Sequence, residues 1–160
     1  EKYGMEYARA YRDEQPDSGF MDHHDRMISP LFHRRRVFAG AERFRLFDVR
    51  NEQGETVEDI IAYANRSGDE AALVIVNNCH ETRRGRLHRS WSDDGSNTAT
   101  VADVLGFAPG DDAMVRLTDP RSGHNHTLPW PVLRDEGLEI ELPPYGTAVF
   151  SQWNAEARSD

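Results

Sequence analysis

With 160 residues and 38% hydrophobic content, the chain fits one domain of ordinary size, long enough to bury a core without disulfides or metals. Its formal charge of −9, with Lys2 the single lysine, speaks against a nucleic-acid backbone as partner. No run of about 18 apolar residues occurs, so no membrane-spanning helix is expected, and Cys79, the sole cysteine, rules out an intrachain disulfide and leaves the compartment open.

Residues 1–15 carry Tyr3, Tyr7 and Tyr11 at a spacing of four, a helical stripe that Pro16 ends. A second helical pattern places Phe20, His24, Met27, Ile28 and Leu31 on one side, with Asp22 as the expected N-cap and Pro30 as a kink or restart. His33-Arg-Arg-Arg36 reads as a solvated helix end whose cations suit the C-terminal dipole, rather than as a phosphate site. The two helices show much apolar surface for so short a region. The chain also opens at Glu1 rather than at a methionine. We expect a piece of a longer or processed protein, with the partner of these helices outside it.

Beyond Gly40 the pattern changes to strands. Phe44-Arg-Leu-Phe-Asp-Val49 is the first, followed by a turn at residues 51–54. Ile60-Ile-Ala-Tyr-Ala-Asn65 and Ala71-Ala-Leu-Val-Ile-Val-Asn77 flank Ser67-Gly68-Asp69 and predict an antiparallel hairpin. Apolar residues on both faces of the second run (Leu73 and Ile75, Val74 and Val76) mark a central strand covered above and below. Residues 82–90 form a further expected strand and residues 91–98 a polar loop. A short helix over residues 100–107 is stopped by Pro109-Gly110, and a strand over residues 114–118 leads to a turn at residues 119–123. Leu138, Ile140 and Leu142 alternate with Glu139 and Glu141, and Pro143-Pro144-Tyr145-Gly146 is expected to close a final hairpin with residues 147–153. The expected fold is therefore mainly β, an antiparallel β-sandwich preceded by a helical N-terminal segment. Residues 1–38 are assigned to the helical segment, residues 39–153 to the sandwich and residues 154–160 to a frayed tail.

Chemical candidates are sparse. His23 and His24 are neighbours on a helix and diverge by about 100°, so they cannot converge on one ion. His124 and His126 share a face only if extended, with Asp119 as the nearest third ligand, and a loop rich in turn-formers explains them without a metal. Asp93-Asp94 and Asp111-Asp112 sit in polar loops, away from any cleft that would push paired carboxylate pKa values apart. No phosphate cradle, nucleophile elbow or Cys–His arrangement is present. Neither a catalytic nor a metal-binding residue is assigned, and no cofactor is implied. Trp91, Trp130 and Tyr145 are candidates for stacking on sugar rings, Trp153 being a further aromatic near the end.

Several segments, in order, resemble the C-terminal region of one branch of the alpha-amylase family of glycoside hydrolases. These are Ser29-Pro-Leu-Phe-His-Arg-Arg-Arg-Val-Phe-Ala-Gly40, Phe44-Arg-Leu-Phe-Asp-Val49 and Glu58-Asp-Ile-Ile-Ala-Tyr-Ala-Asn-Arg-Ser-Gly-Asp-Glu70. Leu73-Val-Ile-Val-Asn-Asn78, Glu81-Thr-Arg-Arg-Gly85 and Gly137-Leu-Glu-Ile-Glu-Leu-Pro-Pro-Tyr-Gly146 extend it. The resemblance implies that residues 1 to about 38 are the last helical segments of a (β/α)₈ barrel and that the remainder is the β domain following it. It implies a parent that cleaves or transfers α-glucans by a retaining mechanism, with an aspartate nucleophile and a glutamate acid/base at barrel strand ends. None of the short barrel-strand motifs occurs here, so no catalytic residue is carried over. The implied role is a non-catalytic domain that packs on and stabilises the barrel through Tyr3, Tyr7, Tyr11, Phe20, Met27 and Ile28. The alternative is a carbohydrate-binding module with α-glucan as ligand through surface aromatics.

Overall fold

The computed structural model describes residues 15–39, 43–91, 98–106 and 108–157. The expected helix with Tyr3, Tyr7 and Tyr11 lies outside the described residues. Three short helices come first, α1 (Ser18–Met27), α2 (Ser29–Phe32) and α3 (Arg35–Ala39). Asp17, not Asp22, caps α1: its carboxylate accepts the Phe20 amide at 3.0 Å, and Asp22 lies inside the helix. The position after a proline, with extended backbone, is the one from which an aspartate side chain reaches the first free amides. Pro30 opens α2, where its missing amide proton costs nothing.

The strands form two antiparallel sheets. Strands β1 (Arg45–Arg50), β2 (Ile60–Ser67), β3 (Glu70–Asn77), β4 (Arg83–Ser90), β7 (Leu138–Leu142) and β8 (Thr147–Phe150) lie in the order β7-β4-β1-β2-β3-β8. Strands β5 (Ala113–Asp119), β6 (His124–Pro129) and β9 (Gln152–Ala157) form the smaller sheet, in the order β6-β5-β9. The expected hairpin is β2–β3, in unbroken register from Ile60↔Asn77 to Ser67↔Glu70. Gly68, at φ +61°, supplies the left-handed residue that the turn requires.

The last hairpin of the sequence reading does not form. The alternation in β7 is real, with Leu138, Ile140 and Leu142 buried, but β7 pairs with β4 while β8 pairs with β3. These are opposite ends of the six-stranded order, joined only by residues 143–146. A flat sheet would hold its outermost strands about 24 Å apart, whereas the link extends at most about 17 Å. The sheet must therefore roll, and Asn77 fastens the seam. Its Nδ2 donates to the carbonyls of Pro143 (2.8 Å) and Leu142 (3.2 Å), while its own amide donates to the Gly146 carbonyl at 2.8 Å. The chain then leaves β8 at Ser151 and enters β9 in the other sheet, so one continuous segment binds the two layers.

Between the layers lies a single apolar cluster that includes Phe47, Val49, Leu73, Ile75 and Leu87 of the rolled sheet and Val115, Leu117 and Leu128 of the smaller one. Two short helices fill its ends. Thr100 and Asp103 form a capping box at the start of α4 (Val101–Leu105), which buries Val101, Ala102, Val104 and Leu105. Gly106, left-handed at φ +71°, ends α4 before the expected stop at Pro109-Gly110. Strand β6 occupies a stretch read from sequence as a loop rich in turn-formers, and helix α5 (Trp130–Asp135) one to which the sequence reading assigned no element. Pro129 and Pro131, which flank Trp130, start this helix rather than break it. At the far end, the tail expected to fray from Asn154 is paired with β5 through Ala157.

Candidate functional site

The outer face of the rolled sheet divides at β1 into an apolar half and a charged half. On one side, the register aligns Leu46, Tyr63, Val74 and Val149 across β1, β2, β3 and β8, with Ile61 beside Val76 in the next row. Phe44 stacks at a tilt on Tyr63, ring centres 5.4 Å apart. Val37 of α3 is fully buried, and α3 contacts β2 and β3. Arg34 ties the leader down by donating to the Ser151 carbonyl at 2.6 Å. Leu46 and Ile61, beyond that cover, stay 43% and 48% exposed.

The remaining leader does not close on this face. Helix α1 has no buried residue, and Phe20, Met21, Ile28 and Phe32 are exposed, Phe20 and Phe32 by more than 60%. Met27 is half-buried. Of the expected interface residues, then, Phe20 and Ile28 present apolar surface to solvent and Met27 does so in part, while Tyr3, Tyr7 and Tyr11 fall outside the described residues.

Across β1, the outer face of β4 and β7 is charged. Arg84 donates to Glu139 at 2.9 Å, and Arg86 bridges Glu139 and Glu136. The Arg84 guanidinium holds the Glu139 carboxyl below the usual carboxylate range, and Glu136 and Glu139 keep Arg84 and Arg86 protonated. A carboxylate so paired is suited to remain an acceptor and not to serve as a general acid. This ladder floors a groove of about 960 Å³, whose walls include Asp48, Arg50, Gln53, Arg89, Trp91 and Thr98. A bulge shapes it. Phe47 pairs with Ser90 but Val49 with Leu87, so β4 carries one extra residue at His88-Arg89 and turns its end outward.

The three aromatic candidates separate. Trp91 sits at the end of the bulged strand, 57% exposed, with its amide held by the Leu46 carbonyl. Tyr145 is also exposed, but on the 143–146 link beside the start of β4, the opposite end from Trp91. A β4 strand of this length keeps the two rings roughly 20 Å apart. Trp130 is a correction: it is 4% exposed, packed in the core cluster at the start of α5, and cannot stack on a sugar. The groove residues other than Trp91 were missed by sequence reasoning, because three separate segments contribute them and only the strand pairing brings these together.

His124 and His126 lie on β6, not in a loop, and share a face with Asp119 opposite His124. Asp119 is committed elsewhere: its oxygens accept from Arg121 Nη2 (2.7 Å), Arg121 N (2.9 Å) and Val149 N (2.9 Å). His126 packs edge-on against Phe150, and burial, helped by His124, lowers its pKa. Among the described residues no cluster of His, Cys, Asp and Glu is arranged to hold a metal. Compared with known proteins, the chain matches no family model and no curated protein.

Proposed function

We propose that the chain is a non-catalytic β domain of an α-glucan-active glycoside hydrolase or transglycosidase of the alpha-amylase family, and that it packs on and stabilises the catalytic barrel. The ordered sequence resemblance suggests the parent. The observation that carries the docking role is the exposed apolar side of α1 and α2 (Phe20, Met21, Ile28 and Phe32), continuous in sequence with α3, which is anchored on the sheet. Covering one such side chain stabilises by roughly 1.5–3 kcal/mol, so four of them form a substantial apolar surface. Exposed large apolar side chains gathered in one short segment mark a candidate contact site.

The chain by itself should be sticky. An apolar fluorescent dye is expected to brighten strongly with the wild-type chain and much less with the double variant Phe20→Ser/Phe32→Ser. A wild-type chain that stays dark and monodisperse contradicts the docking role.

A further inference from the structure

We propose that β6 is an acid-sensitive latch: protonation of His126 releases residues 124–127 of this edge strand from β5 while the rest of the fold stays closed. This goes beyond the docking role and does not depend on it, since β6 belongs to the smaller sheet and α3 of the leader packs on the rolled one.

The placement of the imidazole carries it. Among the described strands β6 has β5 as its one ladder partner, so the packing of its inner face decides how firmly it is held. The register puts His124, His126 and Leu128 on that face, opposite Asp119, Leu117 and Val115, all of which are buried. Two of these three inward positions on β6 therefore carry imidazoles. His126 is half-buried, and its ring meets that of Phe150 in β8 at 64°, ring centres 6.4 Å apart. It is thus a contact between the edge strand and the rolled sheet. A neutral imidazole suits that place, whereas an imidazolium there is deprived of water. No described group stands ready to compensate it. Asp119 is taken by Arg121 and the Val149 amide, and Arg121 brings a buried positive charge of its own. His124, on the same face, can only add a second cation. Glu139 of β7 favours the charged form but is held by Arg84 and Arg86. Arg134 and Asp135 of α5 pair with each other, and Arg134 with Asp111. Arg116 and Glu156 pair on the outer face, and β8 has no ionisable side chain. Burial, helped by His124, lowers the His126 pKa, so the released strand takes up the proton more readily than the packed one. The latch is closed above about pH 6.5, the ordinary histidine value, and weakens as the pH falls through it until the packed ring is charged as well. Carboxylates titrate below this window.

The test is amide hydrogen exchange of the whole chain at about pH 7.5 and about pH 5.2, either side of the ordinary histidine value, with each rate divided by that of the unstructured peptide at the same pH. Protection of residues 124–127 should fall severalfold at the lower pH, while the β2–β3 hairpin keeps its own. His126→Leu, which retains an apolar contact and cannot be charged, should show equal protection at both. His126→Arg, charged throughout, should show the open strand already at the higher pH. If that variant does not fold, the wild type and His126→Leu still decide the matter. Protection of β6 that is unchanged between the two conditions, a loss that persists in His126→Leu, or a loss shared equally by β2 and β3 would each overturn the proposal. None of those outcomes touches Phe20 or Phe32, so the latch and the docking role fail separately.

Discussion

Asp119 shows how one buried charge can lock a turn to a distant strand. Its side chain is 3% exposed and that of Arg121 8%, and Arg121 also donates to the Thr147 carbonyl of β8. Burial alone would push the carboxyl up, but the Arg121 guanidinium and the Val149 and Arg121 amides outweigh it, and the pKa falls below the ordinary aspartate value. A folded-state pKa lower than the unfolded one means that the unfolded chain binds the extra proton. Stability from this group is therefore complete above about pH 4, near the unfolded aspartate value, and is lost as the pH falls through the lower folded value. Replacing Asp119 by Ala leaves Arg121 buried without its partner and should cost about 3–5 kcal/mol, read as a lower urea midpoint at neutral pH. The gap between variant and wild type should narrow in acid. A loss below about 1 kcal/mol, or a gap that is flat with pH, would contradict the assignment. The sequence put Asp119 at the start of a turn, whereas it is the last residue of β5, paired with His124. It gave no sign of the carboxylate's burial, because the amide and the carbonyl that complete the site come from β8, roughly thirty residues later.

At the scale of elements, local pattern and long-range pairing diverge. The β2–β3 hairpin was legible because its turn chemistry and the doubly apolar β3 are both local signals. The short helix α4 was legible from its apolar run, though its end was set by Gly106. The link between β7 and β8 was misread for a physical reason: a Pro-Pro-Tyr-Gly segment looks like a hairpin turn, and nothing local reveals that the sheet rolls and that β4 and β3 take the two strands. Trp130 was offered as a stacking ring because nothing local reveals its burial, and the prolines on either side fit the helix start that places it in the core. Gly137 belongs to the same lesson. It joins α5 to β7 at φ +94°, and a Cβ there would lie 2.2 Å from the Leu87 carbonyl oxygen of β4. Gly137→Ala should therefore destabilise by at least about 2 kcal/mol, through both the strained backbone and the clash. Thermal unfolding measures it, and an unchanged midpoint would show that Gly137 does not approach β4 as closely as described.

For the whole molecule, the rolled sheet gives one face two distinct surfaces. The half beside α3 is apolar and partly covered by the leader, while the half beyond β1 is a groove floored by paired arginines and glutamates, with Trp91 in its wall. The described leader folds as short helices, is anchored through Val37 and Arg34, and displays Phe20, Met21, Ile28 and Phe32, the surface on which the proposed docking role rests. The sequence disclosed the apolar stripe of α1 and led us to expect its partner outside the chain, but not where α3 fastens to β2 and β3. The most direct test is photocrosslinking in the full-length protein, with benzoylphenylalanine in place of Phe32. The account predicts a crosslink that maps to helices of a catalytic barrel. Crosslinks confined to this chain's own sheet, or none at all, would contradict it.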